Sequence, residues 1–98
     1  MDDQNFVMIE GVVTYMDSDK EVDGKHVLNF TIENSRRGGT QRFRYNCVVW
    51  NKNIPRFEDK IQLGAFIRIT GHLQDSVKRL EDGTEFRYCK ICCDWIDN

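Results

Sequence analysis

The chain has 98 residues, of which 40% are hydrophobic and 31% charged, with a single proline and a formal net charge of −2 at pH 7. This balance fits one globular domain over residues 1–98 and excludes a disordered or low-complexity polypeptide. No apolar run approaches the ~20 residues of a membrane span, and the start Met1-Asp2-Asp3-Gln4 lacks the regions of a signal peptide, so a cytoplasmic protein is expected.

A first strand is predicted over residues 6–15 (FVMIEGVVTY), where period-two alternation puts Val7, Ile9, Val13 and Tyr15 on one side. Gly11 interrupts that side and marks a bulge or bend. The segment from Asp17 to Lys25 is polar and contains the turn signal Asp23-Gly24. A second strand follows over 27–34, with Leu28, Phe30 and Ile32 inward, and then a glycine-rich loop from Ser35 to Thr40. The third strand, 41–50 (QRFRYNCVVW), carries Phe43, Tyr45, Cys47 and Val49 on an apolar face. Its other face carries Arg42, Arg44, Asn46, Val48 and Trp50.

Over residues 51–64 the period changes, with Ile54, Phe57 and Ile61 at helical spacing, Pro55 suited to a first turn and Gly64 as a stop. A fourth strand at 65–73 aligns Ala65, Ile67, Ile69 and Leu73, with a bend at Gly71. Residues 75–84 are predicted to be a long polar connection containing Lys78, Arg79 and the turn Asp82-Gly83. A fifth strand covers 85–93 or slightly more, and the acidic end at 94–98 (DWIDN) reads as a frayed terminus. The order β-β-β-α-β-β, with its helix between strands three and four, describes an all-β, five-stranded OB fold. That fold is a Greek-key barrel that binds oligonucleotides on one face.

Arg42, Arg44, Asn46 and Trp50 are displayed together by a strand. Guanidinium groups neutralise phosphates, and an indole offers a plane on which a base stacks, at ~1–3 kcal/mol per base. A solvated strand face, with Trp50 packed against a loop, is the alternative. Arg36 and Arg37 in the glycine-rich loop, and Lys78 and Arg79 in the later connection, sit where OB folds close over a ligand. Arginines that merely keep the surface soluble are the alternative there.

The four cysteines are expected to be free thiols. Cys89 and Cys92, with Cys93, offer half a zinc site, but a closed site needs four converging ligands. Cys92 should point away from Cys89 and Cys93 on a strand, and His26 and His72 stand isolated, so buried thiols without metal or cofactor are expected. Phosphate-loop, zinc-protease and nucleophile-elbow patterns are missing, and the acidic residues are scattered, so no enzymatic activity is expected.

With these residues in view, the chain resembles the bacterial single-stranded DNA-binding protein family. The matching segments are NFVMIEGVV at 5–13, LNFTIENS at 28–35, YNCVVWNKN at 45–53, IRITGHLQ at 67–74 and EDGTEFRY at 81–88. The resemblance implies a barrel whose first strand pairs with its twin in a homo-oligomer, a dimer or tetramer. It also implies single-stranded DNA across strands two and three and the long loops, with replication or repair proteins as further partners.

Trp50 falls at the family's stacking aromatic and Lys52 at an often basic position. Arg44 stands where the family commonly has a tryptophan, and Gly38 and Lys78 lie near other frequent tryptophans. Fewer aromatics weaken stacking, although arginine stacks on bases and adds charge. The flexible glycine-rich tail with an acidic tip is not represented, which puts the partner-hub role in doubt and points to a short plasmid, phage or primosome-type relative. The resulting expectation is non-enzymatic, sequence-independent binding of single-stranded DNA. The competing expectations are a protein-interaction OB domain of a replication or primosome accessory and an RNA-binding domain of the cold-shock kind.

Overall fold

The alternating segments become the strands of a closed barrel in a computed structural model that describes residues 3–35 and 39–98. In chain order these are β1 (Val7–Met16), β2 (Lys20–Val22), β3 (Lys25–Ser35), β4 (Arg42–Trp50), α1 (Asn53–Phe57), β5 (Phe66–Arg79) and β6 (Glu85–Asp97). The sheet order is β1-β5-β6-β4-β3-β2, and β1 also pairs with β3, which closes five strands on themselves. Among the described residues, only β4 and β6 run parallel, across Cys47–Val48 and Ile91–Cys92. This is the OB architecture expected from the element order, with the short β2 added beside β3.

Closure rests on β1 serving two neighbours. Val7–Val12 pair with β5, and Val12–Met16 pair with β3. A Cβ on Gly11 would lie 2.6 Å from the Glu33 carbonyl oxygen, so the hand-over needs a residue without a side chain. Beyond it the register shifts between Val13 and Tyr15. The shift turns Tyr15 out to solvent, against the sequence expectation, and lets Met16 pack on the core instead.

Phe30 and Ile32 of β3, Cys47 and Val49 of β4, Ile67 and Ile69 of β5, and Ile91, Cys93 and Ile96 of β6 fill the barrel. Ile54, Phe57 and Ile61 join the same core. The helix is much shorter than the 51–64 window. It is a five-residue turn of α-helix without a side-chain N-cap, followed by a 3-10 turn at Glu58–Lys60. A segment this short is held by its buried residues rather than by helix propensity.

Two further expectations are corrected. Residues 75–79 are not a loop but the end of β5, which pairs with β6 out to Arg79 opposite Glu85. Nor does the chain fray at 94–98, since β6 continues to Asp97 and buries Ile96 completely. Leu73 and Cys89 keep the inward parity of their strands, yet both are exposed because they lie at the open end of the barrel. There they line a recess of ≈ 250 Å³ with Val7, Ile9, Tyr45 and Ile91.

Candidate functional site

Strand alternation sends every second side chain of β3, β4, β6 and β5 to the outer surface, where register stacks them in rows. One row runs Asn29, Val48, Cys92 and His72 across the four strands. The next holds Thr31 opposite Asn46 and Lys90 opposite Gln74. The row beyond pairs Glu33 with Arg44 and Ser76 with Tyr88. The sequence places strand-borne site residues on β4 and adds cations from the loops, with the resemblance extending the site to strand two; the surface they belong to spans four strands.

The centre of this surface is polar and concave. A shallow cavity of ≈ 220 Å³ is lined by Tyr15, Asn29, Thr31, Asn46, Tyr88 and Lys90, with backbone from β3 and β4. Lys90 Nζ reaches over to donate to Asn29 Oδ1 at 3.1 Å and lies 5.6 Å from the Tyr88 ring centroid. That geometry holds an ammonium against an aromatic face. Thr31 Oγ1 is 3.5 Å from Asn46 Oδ1, and Arg44 Nε is 3.5 Å from Glu33 Oε2. Tyr15 donates from its hydroxyl to Asp17 Oδ1 at 2.5 Å, which raises its own pKa and, together with Lys20, holds the Asp17 carboxyl below its ordinary value.

At the other end the surface turns apolar. Val48, on the outward side of β4, is fully buried beneath a cluster with Val27, Cys92 and the half-buried Trp50. Trp50 therefore packs against its own sheet while its remaining surface lines a second recess of ≈ 290 Å³ with Lys25, Asn51 and Gln74. Burial first, and then the Asp94 carboxylate, push the Cys92 thiol pKa up. In the barrel interior, a hydrogen bond with Cys47 and then burial push the Cys93 thiol up much further.

Arg42, Arg44, Asn46 and Trp50 thus share one face, as their spacing implied. Lys52 does not extend the row, because it sits past the end of β4 at the N-cap of α1. Lys78 and Arg79 lie on β5 near the hairpin tip, and Arg79 is held by Glu85 at 2.8 Å. Arg36 and Arg37 fall outside the described residues. His26 and His72 are not isolated either: they contact Asp19 at 3.3 Å and Asp94 at 3.0 Å. Lys90, Tyr88, Asn29 and Thr31 were missed. Their even or odd positions on β6 and β3 were legible, but which strand lies beside β4 is a matter of topology.

No family model and no curated protein matches the chain. Among solved structures, the SSB domain of a protein from Synechococcus sp. is similar over 100% of this chain and 99% of that one, with a TM-score of 0.74 and 10% sequence identity. At that identity the likeness is one of fold, and the fold is the OB barrel that the sequence implied.

Proposed function

We propose that this chain binds single-stranded DNA, without catalysis and without sequence preference, across the outer face of β3, β4 and β6, in replication, recombination or repair. The observation that carries the reading is the polar concavity formed by Asn29, Thr31, Asn46, Tyr88 and Lys90, flanked by Arg44 at one end and Trp50 at the other. Arg42, Arg44 and Lys90 supply cations for the backbone, and Tyr88 and the open part of Trp50 supply planes for bases. Asn46, Asn29 and Thr31 donate and accept without fixing a base identity. Lys52, Lys78 and Arg79, with Arg36 and Arg37 of the loop, would contact the strand where it leaves the face.

The test is quenching of Trp50 fluorescence by an oligo-dT in a Trp95→Phe background, which leaves one of the two tryptophans. Quenching is expected, with log affinity falling by ~0.7 per phosphate contact against log salt. Trp50→Ala should weaken binding by ~1–3 kcal/mol. No quenching and no binding at low salt would overturn the reading and favour a protein-interaction role for the same sheet.

The same reading includes self-association through β1. Among the described residues, Val7–Gly11 pair with β5 on one side only, since the pairing with β3 begins at Val12. Phe6 just before β1, Met8 on it and Phe66 on the neighbouring β5 are exposed. An unpaired apolar edge is a template for a second strand, here that of a second copy. Light scattering across micromolar concentrations should give a dimer or larger species, and a monomer throughout would refute it.

A further inference from the structure

We propose that His72, Cys92 and Asp94 form a three-residue binding site for a zinc-class transition-metal ion on the outer face of the β5–β6 hairpin. The inference is independent of the DNA-binding reading and rests on how the hairpin is built. His72 on β5 lies directly opposite Cys92 on β6. In a regular strand the next outward residue, two positions along, would stand ~6–7 Å further on, beyond easy reach of the same ion.

Here the ladder slips. Thr70 pairs with Trp95 and Gly71 with Cys93, so Asp94 is an extra residue with no partner on β5. An inserted residue of this kind bends the strand and re-aims its side chain. Gly71 is what lets the strands approach there, because a Cβ at that position would sit 2.0 Å from the Cys92 carbonyl oxygen. As a result Asp94 turns back toward His72, with Oδ2 3.0 Å from Nδ1. One nitrogen, one sulfur and one carboxylate oxygen then all lie within 4.8 Å of one another.

Tetrahedral zinc, with bonds of ~2.0–2.3 Å, holds its donors ~3.3–3.8 Å apart. Rotations of the half-exposed His72 and Asp94 side chains would have to close the remaining gap. An imidazole, a thiolate and a carboxylate are the donor types zinc takes, and the two anions would balance its charge. The sulfur is already placed, since Cys92 is packed among Val27, Val48 and Trp50. Binding releases the thiol proton to solvent. With three protein donors the fourth position belongs to water or to an incoming ligand, as in open rather than closed zinc sites. This trio differs from the C-x-x-C half-site in the sequence, whose Cys89 lies at the open end of the barrel.

The test is titration of the reduced, chelator-stripped full chain with Co²⁺, followed by displacement with Zn²⁺. One Co²⁺ per chain is expected, with a thiolate-to-cobalt charge-transfer band that Zn²⁺ removes. Cys92→Ser should abolish the band. His72→Ala and Asp94→Asn should each weaken Zn²⁺ binding about tenfold or more, since even outer-shell changes cost 10–100-fold. Cys89→Ser should change neither. His72 and Asp94 are half-exposed, so those variants test the site even where Cys92→Ser fails to fold, as circular dichroism would reveal. No charge-transfer band, a band lost in Cys89→Ser, or Zn²⁺ affinity unmoved by His72→Ala and Asp94→Asn would overturn the proposal.

Discussion

Glu33 is the residue whose loss should improve the proposed interface. Its carboxylate lies 3.5 Å from Arg44 Nε, and its side chain is mostly covered while that of Arg44 is 77% exposed. It therefore occupies one side of a guanidinium that a phosphate would otherwise use, and it repels any phosphate placed there. For a phosphate ~6 Å from the carboxylate, Coulomb's law gives about 0.7 kcal/mol in water, and several times that at lower effective dielectric. Glu33→Gln should then tighten oligo-dT binding ~3- to 10-fold at low salt. It should also steepen the log–log salt dependence by up to ~0.7, the slope of one further contact to a single strand.

Arg44→Gln should do the reverse, weakening binding and flattening the slope by a similar amount. Neither change should shift the melting temperature much, because the Arg44 guanidinium is solvent-exposed and surface pairs of this kind contribute ~0–1 kcal/mol to folding. Anisotropy of a labelled oligo-dT over a salt series measures both quantities. Glu58→Gln is the control, since it removes the same negative charge in the exposed 3-10 turn at Glu58–Lys60. If Glu58→Gln and Glu33→Gln acted alike, or if Arg44→Gln left the slope unchanged, the strand would not cross this part of the sheet.

Two further outcomes follow from the backbone and from the carboxylates. Gly71→Ala should destabilise the protein by ~3 kcal/mol or more, because its Cβ meets backbone at 2.0 Å and no side chain can yield. Gly24→Ala, at φ +79° with nothing within 4 Å, should cost only ~1 kcal/mol in urea denaturation. Equal costs would show that the strands are not in this register. Asp17 and Asp82 are both held below 3.8, by the Tyr15 hydroxyl and then Lys20 in one case and by hydrogen bonds with Thr84 in the other. A depressed folded-state value adds stability above 3.8 that is lost as pH falls through the folded value. Carboxyl carbon shifts should titrate accordingly, and Tyr15→Phe should return Asp17 toward 3.8 without moving Asp82.

Period-two patterning made the inward residues of β3 and the core stretch of β5 legible, because each keeps one parity against one core. The same rule failed at Tyr15, where a register shift in β1 changes the parity. It failed differently at Leu73 and Cys89, whose parity is right but whose neighbours are missing at the barrel mouth. Lys78 and Arg79 read as loop residues in the sequence because a polar strand end looks like irregular structure. A hairpin that projects past the core has no apolar face to bury, so its strands carry no alternation to detect.

The site divides along the same line. Arg42, Arg44, Asn46 and Trp50 belong to one strand, and sequence spacing alone sets them on one face. Lys90, Tyr88 and Asn29 join them only because β6 runs parallel beside β4 and β3 lies antiparallel on its other side. Asp94 is harder still, since it comes within 3.0 Å of His72 through a single inserted residue that the glycine opposite permits. The sequence predicts a bend at Gly71, and a bend there is what brings the carboxylate to the imidazole. The glycine's identity locates the slip in the ladder, but the partner strand decides which side chain the slip delivers, and that choice is made only when the barrel closes.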